Sequence, residues 1–218
     1  MTEAVVFDLD GVLVDTEPVW AEVREALVAD VGGRWHGGAH AEMMGMSAPE
    51  WSRYMHDRLG VPLAPQQISD DIVRRLATRY EAGLPLLPGA EGVVADLAAR
   101  WPLGLASSSN RPVIDLVLER TGLGRFFRAT VSSEEVPRGK PAPDVYLEVT
   151  RRLGADPRRS TAVEDSSNGI RSANAAGLRV VAVPNPSYPA DAQALALADI
   201  VLTSLDELHA TVVAPNTT

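Results

Sequence analysis

A short apolar run that ends in two carboxylates constrains this chain more than any other feature. Ala4–Phe7 is typical of a buried strand, and Asp8, Asp10 and Gly11 follow it at once. In extended backbone, residues two apart point to the same side, so we expect Asp8 and Asp10 to face one small volume. Because two like charges that close repel, the pair favours a bound cation. Oxygen ligands without a neighbouring His or Cys favour Mg²⁺.

From residue 84 onward, short apolar runs alternate with helical periodicity. Alternation of this kind predicts an α/β fold, a Rossmann-like parallel sheet flanked by helices. Ligands of such sheets bind beyond the carboxyl ends of the strands. The predicted strands after the first lie at 103–106, 129–131, 161–163, 179–183 and 199–202, and the predicted helices lie near 93–101, 113–118, 143–153 and 167–177, with a short last helix capped by Ser204 and Glu207.

Residues 17–83 interrupt this alternation with helical patterns and no strand signal. Apolar residues recur at every fourth position, and Ser47-Ala48-Pro49-Glu50 is typical of a capping box. The segment is too long for an ordinary loop between a strand and a helix. We therefore predict two domains: an α/β core formed by residues 1–16 and 84–218, and an all-helical domain over residues 17–83.

The composition excludes several classes of function. The 218 residues carry a net charge of -9, which argues against nucleic acid or an anionic membrane as the partner. There is no Cys, which excludes thiolate catalysis and disulfides. No basic signal-like start or spanning apolar run is present, so we expect a cytoplasmic protein, no membrane partner and, since nothing demands more, a monomer. The tail over 214–218 is expected to fray.

Polar side chains follow two further predicted strands. Ser107 and Ser108 come after the strand over 103–106, where hydroxyl and backbone N–H groups beside a helix start are typical of a phosphate site. The alternative is a simple turn or cap, with Asn110 capping the next helix. Glu164 and Asp165 follow the strand over 161–163, where capping is again the alternative.

A lysine completes this set of charged groups. Pro141 favours an extended conformation at Lys140, which holds its ammonium in a fixed loop. Such a cation can neutralise a phosphate oxygen or a carboxylate, although most lysines are only solvated surface groups. Four carboxylates, a lysine, a hydroxyl and Mg²⁺ are the parts needed for phosphoryl transfer through an aspartyl-phosphate.

These motifs resemble those of the haloacid dehalogenase-like (HAD) hydrolases. Asp8-Leu9-Asp10-Gly11-Val12-Leu13-Val14-Asp15-Thr16, Ser107, Lys140-Pro141 and Glu164-Asp165-Ser166 occur in the family's order. The resemblance covers nearly the whole chain. It points to the β-phosphoglucomutase/phosphoglycolate phosphatase group, in which a helical cap domain follows the first motif, as residues 17–83 do here.

The resemblance implies a role for each motif residue. Asp8 would be the nucleophile and Asp10 the general acid and base. Asp165 and the backbone carbonyl of Asp10 would bind Mg²⁺ beside Asp8, with Glu164 in support. The implied phosphate-binding residues are Ser107, Ser108 and Lys140. The acid at position 10 argues against the dehalogenase branch, which lacks it.

Two departures favour a phosphatase over a mutase. The β-phosphoglucomutases carry a His where this chain has Trp20, and an Arg after the cap's Gly-x-Ser where it has Ala48. We therefore predict a Mg²⁺-dependent phosphatase that acts on a small phosphorylated metabolite, with the mutase as the alternative. Residues expected to set specificity are Thr16, Glu17, Trp20 and Met46, together with Met43 and Met44. For the Met and Trp residues, plain packing of the cap is the preferred explanation.

A protein of another class could use similar parts. A receiver-like phospho-acceptor module also combines acids, Ser or Thr, Lys and Mg²⁺ on a parallel sheet. It needs neither an inserted helical segment nor a leaving-group acid such as Asp10. A purely structural homologue is disfavoured because every motif position is filled.

Overall fold

A six-stranded parallel sheet forms the centre of the molecule. The computed structural model describes residues 2–81 and 83–214. The strand order is β3-β2-β1-β4-β5-β6 and every paired neighbour is parallel, which confirms the predicted α/β fold. The strands are β1 (Ala4–Phe7), β2 (Leu103–Ser107), β3 (Phe127–Ser132), β4 (Ser160–Glu164), β5 (Arg179–Ala182) and β6 (Ile200–Val201).

The central strands of the sheet are buried on both faces, which explains the apolar runs within them. Val5 and Phe7 of β1 belong to one hydrophobic cluster, and Val6 between them belongs to a second cluster. The helices are α1 (Glu17–Asp30), α2 (Ala39–Met43), α3 (Ala48–Asp57), α4 (Pro65–Glu81), α5 (Ala90–Ala98), α6 (Arg111–Thr121), α7 (Asp144–Leu153), α8 (Ser167–Ala175), α9 (Ala192–Leu195) and α10 (Ala210–Val213).

Helices α1 to α4 occupy the predicted insertion between β1 and the rest of the core. The described residues of this segment contain no strand. The predicted capping box is present, because the carboxylate of Glu50 accepts a hydrogen bond from the backbone N–H of Ser47 at 2.8 Å. The helical content is therefore as predicted, and the division of the chain into a core and a cap domain stays a prediction.

Two predicted caps are not formed by the side chains named for them. Asn110 occupies the N-cap position of α6, but its amide donates to Ser69 of α4 and to Glu134 instead. Ser204 makes no cap bond, and Glu207 accepts hydrogen bonds from Thr203. The predicted last helix is a single 3-10 turn, Leu205–Glu207, followed by α10. For Asn110, partners distant in sequence replace the local cap.

In the part of the chain that the structure describes, no helix has the length and apolar character needed to cross a membrane. A cytoplasmic location and a monomeric state remain predictions. The predicted frayed tail lies outside the described residues, except for Ala214.

Candidate active site

The site lies at one edge of the sheet because three neighbouring parallel strands end there. β1 pairs with β2 on one side and with β4 on the other. Asp8 directly follows β1, Ser107 ends β2 and Glu164 ends β4. The carboxyl ends of parallel strands meet at the same edge, so the fold gathers these residues from distant parts of the chain.

Lys140 joins two of these strand ends. Its Nζ lies 2.8 Å from Oδ1 of Asp8 and 2.5 Å from Oε1 of Glu164, and all three side chains are buried. A buried ammonium needs such partners, since an unpaired charge away from water is very costly. Lys140 therefore connects the motif of Asp8 with the motif of Glu164. This agrees with the prediction that its ammonium is held in a fixed position.

The carboxylate of Glu164 is fully occupied by donors from the protein. Tyr146 of α7 donates its hydroxyl to Oε1 at 2.6 Å, and the backbone N–H of Asp165 lies 3.2 Å from Oε2. A Cβ at Gly169 would lie 1.9 Å from Oε2, so only glycine leaves room for this carboxylate. Glu164 thus accepts hydrogen bonds both from Lys140 and from the backbone N–H of Asp165.

Three acids form a cluster that could hold a metal ion. Oxygen atoms of Asp8, Glu164 and Asp165 all lie within 4.8 Å of one another, and all three residues are buried. Oδ2 of Asp165 is buried without a hydrogen-bond partner among the described residues. It lies against Gly11, where φ is +79° and a Cβ would lie 2.0 Å from that oxygen. A hard divalent cation fits this oxygen-only site and would satisfy the unpartnered atom.

The carboxylate of Asp10 is not part of that acidic cluster. Its Oδ1 accepts from the hydroxyl of Thr16 at 2.5 Å and from the indole N–H of Trp20 at 3.2 Å. Its Oδ2 accepts from Ser109 at 2.6 Å and, more weakly, from Ser107 at 3.4 Å. The side chain is therefore not a ligand in this arrangement, and the metal-binding role predicted for the backbone carbonyl of Asp10 stays a prediction.

Burial dominates the electrostatics of the site. It raises the pKa of Asp8, with Lys140 opposing the rise and the charge of Glu164 adding to it. Burial also raises the pKa of Asp10, against the hydrogen bonds from Ser109 and Thr16. The same two carboxylates, Asp8 and Glu164, raise the pKa of Lys140 despite its burial, so this lysine is charged at neutral pH.

The inserted helices close the site from above. A cavity of about 40 Å³ separates the strand ends from the cap segment, and Glu17, Trp20 and Met46 line it from the cap side as predicted. Met43 and Met44 also line it, although Met43 is entirely buried in the hydrophobic core as well. The residues that line it from the core side are Asp8, Asp10, Ser108, Ser109, Lys140, Asp165 and Ser166.

Two hydrogen bonds join the core to the loop around Gly45 in the cap segment. The hydroxyl of Ser108 donates to the carbonyl of Gly45 at 2.9 Å, and the amide of Asn168 donates to the carbonyl of Met44 at 3.3 Å. The side chain of Ser108 is therefore engaged with the cap, which leaves its backbone N–H as the group for the predicted phosphate contact. Ser107 is fully buried, and its Oγ accepts from the backbone N–H of Ser109.

Sequence reasoning missed several residues of the site. Ser109 directly follows the two serines predicted to bind phosphate, so its contact with Asp10 was within reach. Tyr146, Arg24 and His40 gave no signal, because a single polar residue on a helix is usually a surface residue. Only the tertiary packing brings Tyr146 to Glu164 and places Arg24 on the wall of the cavity.

Comparisons with known proteins agree with this geometry. The family model described as haloacid dehalogenase-like hydrolase matches residues 2–177. The chain belongs to this family of hydrolases. Among its relatives, hexitol phosphatase B of Escherichia coli (strain K12) is 35% identical over 216 residues, which cover 95% of this chain and 94% of the relative.

Solved structures of HAD-like proteins share the whole fold. CbbY from Rhodobacter sphaeroides, crystallised in complex with phosphate, superimposes with a TM-score of 0.85 at 28% identity and covers 95% of this chain and 96% of that chain. The β-phosphoglucomutase from Clostridium difficile has a TM-score of 0.83 at 23% identity and covers 97% and 95% of the two chains, which shows the fold alone. The predicted HAD-like family and fold are confirmed.

Proposed function

We propose that this HAD-like hydrolase is a Mg²⁺-dependent phosphatase that acts on a small phosphate monoester, a sugar phosphate in particular, through an aspartyl-phosphate. The observation that carries the proposal is the meeting of Asp8, Lys140 and the acidic cluster at one sheet edge, with a second carboxylate, Asp10, across the same cavity. The name of the 35% identical relative, a hexitol phosphatase, supports the substrate class.

Each residue has a part in the proposed reaction. An oxygen of Asp8 attacks phosphorus, and the bond to the leaving oxygen breaks as Asp10 gives that oxygen its proton. Asp10, now ionised, takes a proton from water, and the resulting hydroxide attacks the phosphorus of the aspartyl-phosphate. Inorganic phosphate leaves and the carboxylate of Asp8 is restored. Lys140 and the N–H groups near Ser107 and Ser108 bind the phosphoryl oxygens.

The acidic cluster provides the proposed metal site. Asp8 and Asp165 would hold Mg²⁺, with the backbone carbonyl of Asp10 as a further ligand and Glu164 as the support of Lys140. The cation would supply positive charge beside the transferred phosphoryl group. The unpartnered Oδ2 of Asp165 supports this assignment.

The donors around Asp10 favour hydrolysis over mutase chemistry in this proposal. Trp20 occupies the position of the mutase His, and its indole N–H faces Asp10. A mutase needs a second anion-binding group for a bisphosphate intermediate. Arg53 and Arg58 of the cap segment do not line the cavity, and Arg24, which does, shares it with the carboxylate of Glu17.

A phosphate-release assay tests the proposal. With Mg²⁺, the protein should release phosphate from glucitol 6-phosphate and related sugar phosphates, and the nearly isosteric Asp8→Asn should abolish release. Formation of glucose 6-phosphate from glucose 1-phosphate without free phosphate would establish the mutase. A stable phosphoprotein without turnover would establish the receiver-like module instead.

A further inference from the structure

The cap side of the cavity carries a buried cation that the proposed reaction does not use. Arg24 of α1 is 4% exposed and lines the cavity. Its guanidinium lies 4.5 Å from the ring centre of Trp20 and 5.2 Å from that of Trp51. These aromatic faces hold the group in place, since a cation over a ring is attracted by it.

The guanidinium of Arg24 retains a free donor. Its Nε–H has no hydrogen-bond partner in the described chain, and its one hydrogen bond there joins Nη1 to Nδ1 of His40 at 3.5 Å. Burial lowers the pKa of Arg24 to about 10, against the opposing charges of Glu17 and Asp10. An unpaired donor on a buried cation is costly, so an oxygen acceptor from a ligand would stabilise it.

His40 links this donor to an acceptor on the same wall. Because a guanidinium only donates, Nδ1 of His40 accepts from it, and Nε2 is the ring nitrogen that is left to donate. Nε2 lies 2.8 Å from Oε2 of Glu17 and donates to it. The rings of His40 and Tyr188 pack edge-to-face, with their centres 5.1 Å apart. The imidazole therefore fixes the carboxylate of Glu17 beside the cavity.

The second oxygen of Glu17 remains available to a ligand. Nothing in residues 2–81 and 83–214 donates a hydrogen bond to Oε1, and Glu17 lines the cavity together with Arg24. The wall thus offers one acceptor, one donor and two tryptophan rings. A polyol needs these groups, because its hydroxyls both donate and accept and its C–H faces pack against aromatic rings.

We propose that Arg24 and Glu17, the latter positioned by His40, form a subsite that binds the hydroxyl groups of an uncharged polyol leaving group. This inference rests on the proposed phosphatase function and deepens it. The charges of Arg24 and Glu17 cancel, so the subsite gives no net attraction to a second phosphate or carboxylate on the substrate. A second anion would also face the carboxylate of Glu17 directly.

Substrate discrimination in variants tests the subsite. Arg24→Met keeps an apolar chain between the tryptophans and removes the donors, and Glu17→Gln keeps the shape and removes the charge. For each variant, kcat/KM is measured with glucitol 6-phosphate and with p-nitrophenyl phosphate, which has no hydroxyls on its leaving group. We expect the ratio of the two values to fall about tenfold or more, the usual effect of losing a hydrogen bond to a charged group.

Glu22→Gln is the matched control for both variants. Glu22 lies on the same helix, is exposed and pairs with Arg79 outside the cavity, so its replacement should leave the ratio unchanged. Thermal unfolding of each variant checks that it folds. A ratio that stays at the wild-type value in Arg24→Met and Glu17→Gln, with both substrates still hydrolysed, would overturn the subsite and leave the phosphatase standing.

A substrate panel on the wild-type protein gives a second test that needs no variant. We expect a higher kcat/KM for glucitol 6-phosphate than for phosphoglycolate or a sugar bisphosphate. Preference for either of the doubly anionic compounds would overturn the subsite alone. Failure to hydrolyse any member of the panel, p-nitrophenyl phosphate included, would overturn the proposed function and the subsite with it.

Discussion

The indole N–H of Trp20 donates a hydrogen bond to Oδ1 of Asp10 over 3.2 Å. This contact ties the first helix of the cap segment to the carboxylate that would protonate the leaving group. Thr16, the last residue before the insertion, donates to the same oxygen. The cap segment therefore does more than cover the cavity, because it orients a group that belongs to the first motif of the core.

Removal of that N–H should selectively slow the hydrolysis of substrates with poor leaving groups. Trp20→Phe keeps an aromatic ring against Arg24 but removes the donor to Asp10. We expect kcat for an alkyl phosphate to fall about threefold to tenfold, the effect of one neutral hydrogen bond, and kcat for p-nitrophenyl phosphate to fall less. A nitrophenolate leaves without protonation, so it does not need a well-placed acid.

Trp35→Phe serves as the control for this variant, since Trp35 packs against the core cluster without lining the active-site cavity. Equal losses on alkyl and aryl substrates in Trp20→Phe would mean that Trp20 shapes the cavity and does not position Asp10.

Gly11 has two separate reasons to be glycine, and a pair of variants can separate them. Its φ of +79° disfavours a side chain, and a Cβ would lie 2.0 Å from Oδ2 of Asp165. Gly60 has a similar φ of +68° but open space around it. We expect Gly60→Ala to lower the free energy of unfolding by about 1–2 kcal/mol with activity unchanged.

Gly11→Ala should lower the free energy of unfolding by a similar amount, and it should also reduce activity. The displaced Asp165 would lose its place in the acidic cluster, so phosphate release should fall far below that of Gly60→Ala. Urea unfolding and initial rates measure the two effects separately. An active Gly11→Ala protein with normal Mg²⁺ dependence would show that Asp165 tolerates displacement.

The sequence predicted the parts of this molecule that depend on local pattern. Each strand from β1 to β5 contains a short apolar run, and the polar residues at the ends of β1, β2 and β4 mark the edge where they meet. The capping box at Ser47 and Glu50 also depends on residues only three apart. Such features need no knowledge of the tertiary structure.

The features that sequence reasoning missed depend on distant partners. Asn110 would cap α6 by local preference, but Ser69 and Glu134 lie within reach once the cap segment packs on the core. Arg24 is a charged residue within a helical pattern, and its guanidinium lies over the rings of Trp20 and Trp51 in the folded protein. Pattern alone cannot identify a buried cation whose neighbours lie elsewhere in the chain.

Loss of the buried lysine should be far more damaging than loss of a surface arginine nearby. Lys140→Met leaves Asp8 and Glu164 buried without their shared cation, which should lower the free energy of unfolding by about 3–5 kcal/mol. Arg138→Met breaks an exposed pair with Asp144 and should cost less than about 1 kcal/mol. Denaturant unfolding at neutral pH measures both. Similar costs for the two variants would contradict the buried pairing.

Magnesium should reverse the effect of Asp165→Asn on stability. Burial and the charges of Asp8 and Glu164 raise the pKa of Asp165, so the three acids destabilise the metal-free protein when they are ionised together. Without metal, at a pH where all three acids are ionised, we therefore expect Asp165→Asn to unfold at a higher temperature than the wild type. With Mg²⁺ at a hundredfold its Kd, the wild type should gain about 2.7 kcal/mol and become the more stable of the two. Thermal unfolding with a chelator and with Mg²⁺ gives all four values, and equal protection of both proteins by Mg²⁺ would remove Asp165 from the metal site.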